Sequence, residues 1–414
     1  MPGPLRSPQE RHSGEGRNPL TDEPCDQPLS GIRILDFSQI MMGPVATQLL
    51  ADHGADVLKI ERPGTGDIFR QALVDPDGTE HPAFGAVNRN KRSLVIDVRA
   101  PEGLALIDDL VREADVVVNN YRPGVMERLG LGYERLAGLN PRIVWAQGTG
   151  FGTEGAYVRK GGQDILAQAL TGAMSHKADD GHPTAIYPIS LADYTAGMNM
   201  VQGILMALLQ RRRTGRGQRV EVSLYDSLLA MQILEATMAL MDRPTLNWAR
   251  MPLVGTFATS DGEIVLVGAF KPNPLRDICA ALGLEDLSEH PDFAGMEAQA
   301  ANKERLQALL TDAIGRFSTA EVIERLEAED VLCAPVRTLP EALADPHTAP
   351  MIAEMPRNGR APLRSVASPV HLPDTPPAPY RPPPAPGEGA AAAQADYGIP
   401  PERIEAQTAA GVLA

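Results

Sequence analysis

The chain has 414 residues, 43% of them hydrophobic, and carries a formal net charge of -15. That length accommodates two domains and a sizeable core, while the acidic balance excludes a general nucleic-acid binder, which needs a basic surface to meet phosphate backbone. No apolar run is long enough to cross a bilayer, and the three widely spaced cysteines, Cys25, Cys279 and Cys333, suggest neither a disulfide framework nor a metal site and fit a reducing compartment.

Residues 1–28 are rich in Pro, Gly and charge and read as a disordered extension or as the product of a start codon placed too far upstream. They do not resemble a secretory signal. Order is predicted from Gly31 onward. IRILDF is a strand, GPVATQLLADHG a helix with Pro44 in its first turn, and ADVLKIE a second strand, a β-α-β unit that implies a parallel sheet. Glu61 stands about where a dinucleotide fold holds its ribose-binding acid, yet the loop after the first strand reads SQIMMGP rather than the glycine fingerprint. The Gly64-Thr65-Gly66 stretch is a turn. The fold is Rossmann-like without the signature of NAD binding.

The alternation continues through KRSLVIDV, the helix PEGLALIDDLVREA, the strand DVVVNNY, the helical MERLGLGYERLAGLN, and RIVWAQGTGFG, a strand entering a glycine-rich loop. GGQDILAQALTGAM is predicted as a helix. The segment 186–226 follows. Asp193 opens a helix whose apolar face is assigned to Met198, Val201, Leu205, Leu208 and Leu209, with Arg211, Arg212 and Arg213 at its negative end and Gly215 and Gly217 stopping it. Ser190 lies three residues before Asp193, the spacing of a capping box. A carboxylate in a first helical turn is favoured in its charged form, so Asp193 is expected to be ionised without the help of a base. Residue physics leaves it open between a helix cap and a carboxylate nucleophile. A long helix, DSLLAMQILEATMAL, leads onward.

From about residue 251 the texture changes. GTFATSDGEIVLVGAF is predicted as a hairpin turning at Asp261-Gly262, followed by helices at 274–282, 300–316 and 319–328. The domain organisation expected is a large domain over 29–228, a linker helix over 229–250, a small α+β domain over 251–345 and a return segment over 346–414 that packs on the large domain. The proline-rich run within that return segment reads as a semi-rigid linker.

Basic residues gather at the ends of the predicted strands: Arg62, Arg70, Lys91, Arg92, Arg99, Arg122 and Arg128. Ligands bind at strand C-terminal ends in open α/β sheets, and Arg suits phosphate because its planar fork donates two hydrogen bonds at once. Singly each is a surface charge; together they point to a phosphorylated ligand.

Five blocks then carry a resemblance: DFSQIMMGPVATQLLADHGADVLKIERPGTGDIFR, NRNKRSLVIDVRAPEG, NNYRPGVMERLGLGYERL, GQDILAQALTG, and the stretch LADYTAGMNMVQGILMALLQRRRTGRGQRVEVSLYD. In this order and spacing, from about residue 29 on, the chain resembles the family III CoA-transferases, a group that also holds formyl-CoA transferase, carnitine CoA-transferase, succinyl-CoA-dependent transferases and α-methylacyl-CoA racemase. The resemblance implies an interlocked homodimer and a CoA thioester held as substrate on the large domain, with a small carboxylic acid as its partner and no permanently bound cofactor or metal. Charge and hydropathy leave no nucleic-acid or membrane partner expected, and the lack of export or anchoring signals together with the CoA substrate points to the cytoplasm. Asp193 matches the catalytic aspartate, which alternates between a mixed anhydride and an aspartyl-CoA thioester. The CoA-contact positions that match are the loop Gln39, Ile40, Met41 and Met42, touching CoA through its backbone; Arg62; Ile96, Asp97, Val98 and Arg99; Asn120, Tyr121 and Arg122; Arg128; and Gln163 and Asp164. The racemase branch pairs its aspartate with a histidine thirty residues earlier. Gln163 stands there and cannot do acid–base work near neutral pH, so transferase ranks above an acyl-CoA racemase or isomerase, and above a CoA-binding protein in which Asp193 is only a cap. Asp164 matches an acidic position of the family, and His176 and His182 read as surface histidines. The formyl-CoA transferases carry a run of consecutive glycines in the small domain; none occurs between 245 and 275, which argues against oxalate/formate specificity.

Overall fold

Strands form where β-branched and aliphatic residues run together, and helices where Ala and Leu recur at helical spacing. The computed structural model describes residues 27–74, 81–177, 182–357 and 360–409, so the extension predicted at 1–28 falls, but for its last two positions, outside the described residues, as does Cys25. Contacts divide the chain into two units. One takes in the described residues up to Thr171, Tyr187–Met231 and those from Pro350 on; the other is Gly172–Ile186 with Gln232–Ala349.

The first unit is built on β1 (Arg33–Asp36), α1 (Met42–Asp52), β2 (Asp56–Glu61), α2 (Pro82–Ala86), β3 (Arg92–Val95), α3 (Pro101–Glu113), β4 (Val116–Asn119), α4 (Val125–Arg128), α5 (Tyr133–Leu139), β5 (Val144–Thr149), α6 (Asp164–Leu170), α7 (Leu191–Thr214), β6 (Arg219–Ser223) and α8 (Leu224–Met231). The strands pair in parallel in the order β3-β2-β1-β4-β5-β6. The order reverses between β1 and β4, and a crevice opens outside their C-terminal ends at such a switch point. Leu35, Leu58, Leu94, Val117 and Trp145 share one core with Leu106 and Leu110 of α3 and Leu136 of α5. α1 and α7 pack against each other.

Two predicted helices are broken. MERLGLGYERLAGLN divides at Gly130, whose φ of 73° suits glycine, into α4 and α5. The 226–240 helix divides at Gln232 into α8 and α9 (Ile233–Leu240). The buried face of α7 also differs from the one assigned by periodicity: it is Ala192, Ala196, Gly197, Met200, Val201, Ile204, Ala207, Leu208 and Arg211, whereas Leu209 is 61% exposed. Small residues line that face because α1 comes very close. A Cβ on Gly197 would stand 2.8 Å from the Met42 carbonyl oxygen and 3.0 Å from Val45.

The second unit pairs β7 (Val254–Ala258), β8 (Glu263–Val267) and β9 (Leu332–Pro335) antiparallel, with β7 and β8 turning at Asp261-Gly262. Its core joins Phe257, Ile264 and Leu266 to Leu275, Leu306, Leu310 and Leu326 of α10 (Pro274–Leu282), α12 (Lys303–Ile314) and α13 (Thr319–Ala328), with α11 (Gly295–Ala301) between and α14 (Leu339–Ala344) after. The chain ends with the pair β10 (Ile352–Arg357) and β11 (Arg360–Val366), then α15 (Ala390–Asp396) and α16 (Pro401–Ala409). This last stretch covers the open edge of β3. The Arg381 N–H donates to Asn90 Oδ1 at 2.7 Å, its guanidinium to the Asn90 carbonyl at 3.0 Å, and the Gly387 N–H to Ser93 Oγ at 3.1 Å. Ala393, Tyr397, Ile399 and Ile404 join the α3/α5 core.

Candidate functional site

Asp193 is the third residue of α7, so its backbone N–H is one of the donors a helix leaves unpaired at its start. That donor goes to Asp164 Oδ2 at 2.9 Å. The Ser190 side chain makes no capping bond, so the expected capping box is absent and an acid from another helix caps in its place. The Asp193 carboxylate is thereby left out of the cap, and the Met42 backbone N–H at the start of α1 favours its charged form. Asp164, 4% exposed, also accepts from Gln168 Nε2 at 2.7 Å.

Two carboxylates close together in a partly dry site do not behave as the helix-dipole argument alone predicts. Burial pushes the Asp193 carboxyl up to about 6, the like charge of Asp164 adds to this, and the Met42 N–H opposes it. The sign of the shift is thus opposite to the one expected from the sequence. Desolvation and a like charge outweigh the macrodipole, which amounts to about 1 kcal/mol at best on a surface. At pH 7 the group is still mostly charged.

A cavity of about 320 Å³ opens at the switch point, lined by residues that include Gln39, Ile40, Arg62, Asn120, Tyr121, Arg122, Phe151, Lys160 and Gly162. The loops after β1 and β4 are clamped together across it. The Gln39 N–H donates to Asn120 Oδ1 at 2.8 Å, the Asn120 amide returns a bond to the Gln39 carbonyl at 2.6 Å, and Gln39 Nε2 reaches Tyr121 Oη at 2.7 Å. Ile40 sits at φ 68°, costly for a β-branched residue, and is held there by its N–H bond to Asp67 at 3.1 Å. The Gln39 and Ile40 N–H groups are therefore committed inside the protein, so a backbone contact from this loop to a ligand falls to its other backbone groups. Asp193 is not in the cavity wall. The wall reaches Ile40, two residues before Met42, and Gly162, two residues before Asp164.

Of the predicted contact residues, the cavity gathers Gln39, Ile40, Arg62, Asn120, Tyr121 and Arg122. Met41, Met42, Ile96, Asp97, Val98, Arg99, Arg128, Gln163 and Asp164 lie outside its wall; Gln163 caps α6 by accepting from the Ile165 N–H at 3.0 Å. Among the described residues neither Arg62 nor Arg122 forms an ion pair. Three of the seven basic residues grouped at strand ends are structural instead. Arg70 forks onto Glu61 with two 2.7 Å bonds and lies 3.6 Å over the Phe84 ring. Lys91 is fully buried on Asp36 at 3.1 Å, and Arg92 pairs with Asp56 and Asp396. Glu61, bonded to Arg70, Ser93 and the Asp67 N–H, has no capacity left for a ribose. Lys160 and Phe151 were missed, although the glycine-rich loop after β5 marks that strand end as clearly as the others. There Gly150 and Gly162 approach so closely that neither tolerates a Cβ.

Residues 29–390 match the model of CoA-transferase family III. The chain belongs to that family. Among its relatives are a formyl-CoA:oxalate CoA-transferase of Streptomyces avermitilis, 32% identical over 84% of this chain and 90% of that protein, and a succinate–glutarate CoA-transferase of Agrobacterium fabrum, 31% identical over 89% of this chain and 96% of its own length. The crystal structure of Rv3272 from Mycobacterium tuberculosis superposes with a TM-score of 0.80 at 30% identity, over 89% of this chain and 99% of that one. A CAIB/BAIF family protein from Brucella suis gives 0.80 at 29% identity, over 90% of this chain and 99% of its own. The transferase reading of the five sequence blocks is therefore correct. In this CoA-transferase no helix among the described residues is long and apolar enough to cross a membrane.

Proposed function

We propose that Asp193 is the covalent relay of this CoA-transferase. Its carboxylate attacks the thioester carbonyl of an acyl-CoA, the C–S bond breaks, and an acyl-aspartyl anhydride and CoA thiolate result. The thiolate then attacks the Asp193 carbonyl, releasing the donor acid and leaving an aspartyl-CoA thioester. An acceptor carboxylate attacks that thioester to form a second anhydride, and the thiolate takes the new acyl group and frees Asp193. No proton is gained or lost overall, and each step exchanges one oxygen or sulfur nucleophile for another. The observation that carries the reading is that Asp164 takes the helix-capping bond, so Asp193 is not needed as a cap. The expected result is a CoA adduct on Asp193, seen by intact mass after acyl-CoA is added without acceptor and removed by hydroxylamine. An unmodified protein that nonetheless exchanges CoA would defeat the proposal.

The switch-point cavity is the proposed seat for the CoA phosphates, with Arg62 and Arg122 as donors and the other matched positions, Ile96–Arg99 and Arg128, flanking. Charge-assisted bonds contribute about 1.5–3 kcal/mol each, so Arg62→Ala and Arg122→Ala are each expected to raise KM for acyl-CoA about 10–100-fold with kcat changed far less. Initial-rate kinetics at two salt concentrations check this, since the loss should shrink as salt rises. The acyl-CoA racemase alternative is weakened by Gln163, an amide used as a helix cap, and α-proton exchange in deuterated water would reveal it. No group of His, Cys, Asp and Glu among the described residues is placed to hold a metal. We further propose a cytoplasmic homodimer. Its support is α9, an apolar helix with no buried residue, in which Ile233 is 70% and Leu240 87% exposed, as expected of a face covered by a second subunit.

A further inference from the structure

We propose that Gln168 is a positioning residue for the reaction, fixing through Asp164 where and how the Asp193 carboxylate is presented. The inference rests on Asp193 as the nucleophile and adds the device that holds it. Gln168 is fully buried in α6, one turn after Asp164. Its amide nitrogen donates to Asp164 Oδ1 at 2.7 Å and also faces the carbonyls of Tyr187 at 3.2 Å and Ile189 at 3.4 Å, while its oxygen accepts from the Tyr187 N–H at 3.1 Å. One side chain thus ties three things together: the α6 face, the extended approach to α7, and the acid that caps α7. Asp164 then spends its second oxygen on the Asp193 N–H.

A buried amide needs partners, but here every partner lies on the segment that enters α7 or on the acid beside the nucleophile. The charged group acting on Asp193 is Asp164, opposed by the Met42 backbone N–H of α1. Freeing Asp164 from Gln168 lets it swing away from Asp193, which weakens the repulsion on the nucleophile. The acidic limb of kcat/KM, which should lie near pH 6, then moves to lower pH.

The test compares Gln168→Leu, which keeps the volume and removes every bond, with Asp164→Asn, which retains an oxygen for the Asp193 N–H but removes the charge. Gln168→Leu is expected to lose about 10–100-fold in kcat, the scale of an ångström-level misplacement, with KM for acyl-CoA changed less than about threefold and the acidic limb shifted to lower pH. Asp164→Asn is expected to shift the limb in the same direction. A folded Gln168→Leu protein with wild-type kcat and an unmoved limb overturns the proposal. If Gln168→Leu does not fold, an unmoved limb in Asp164→Asn overturns it. Asp193→Asn, run alongside, keeps the two readings apart: exchange retained there sinks the nucleophile, whereas an inactive Asp193→Asn beside an unaltered Gln168→Leu sinks only the positioning role.

Discussion

Asp193→Asn should abolish CoA exchange and yet make the protein more stable. The first effect follows from the chemistry: an amide oxygen forms no mixed anhydride, and removing a covalent nucleophile typically costs on the order of 10⁴-fold or more in kcat. CoA binding should persist, because Arg62, Arg122 and Lys160 around the cavity are untouched. The second effect follows from electrostatics. Burial and the Asp164 charge raise the Asp193 carboxyl from 3.8 to about 6, so between those values the folded state binds more protons than the unfolded chain, and stability falls as pH rises through that window. Above pH 6 the ionised group is a full liability; below about 3.8 it is none. Solvent screening at this partly exposed side chain holds the gain from Asn to on the order of 1–2 kcal/mol. Urea denaturation at pH 7.5 and pH 4 checks it: the advantage should be present at the first and nearly gone at the second. An Asn variant that is both inactive and destabilised at pH 7.5 would mean that Asp193 is a structural cap after all.

That combination, a site acid held against its own preference, is what the sequence concealed. Alternating apolar runs and helix breakers were enough to place the first five parallel strands, the β7–β8 hairpin and the helix at 274–282, because those depend on local pattern. The charged residues depended on partners far along the chain. Arg92 looks like a ligand-binding arginine until Asp396, more than three hundred positions later, comes to rest on it. Lys91 lies 55 residues from the Asp36 that neutralises it. Capping was misread for the same reason: Ser190 stands at the right local spacing, but Asp164, 29 residues before Asp193, takes the bond. What remained legible was chemistry tied to topology. Gln39 and Asn120 end neighbouring strands of a sheet whose order reverses between them, so their meeting at the cavity follows from the β-α-β pattern itself.

The same crevice is propped from beneath by a buried charged knot, and Asp36→Asn should cost about 3–5 kcal/mol there. Asp36 closes β1 and is fully buried. Its Oδ1 accepts from the Ser38 N–H at 2.9 Å, and its Oδ2 from Thr47 Oγ1 at 2.7 Å and Lys91 Nζ at 3.1 Å. Lys59 completes the knot with 2.8 Å contacts to the Ser38 carbonyl and to Asp67, which in turn holds strained Ile40 at the cavity. Burial opposes ionisation of Asp36, but Lys91 and Lys59 hold it far below the usual carboxylate range, whereas burial drives Lys91 down to about 8 despite Asp36. Removing the Asp36 charge leaves two buried ammonium groups with Asp67 and Glu61 as the nearby acids, and Lys91 should then lose its proton more readily still. A lysine depressed in the folded state means that the unfolded chain binds more protons between the folded value and 10.5, so stability rises with pH across that range. The deficit of Asp36→Asn measured by urea denaturation should therefore be largest near pH 7 and shrink toward pH 10. Asp36→Asn/Lys91→Met should recover much of it, because a matched apolar replacement removes the uncompensated charge. A single variant whose deficit is small and independent of pH would show that the knot contributes packing rather than charge.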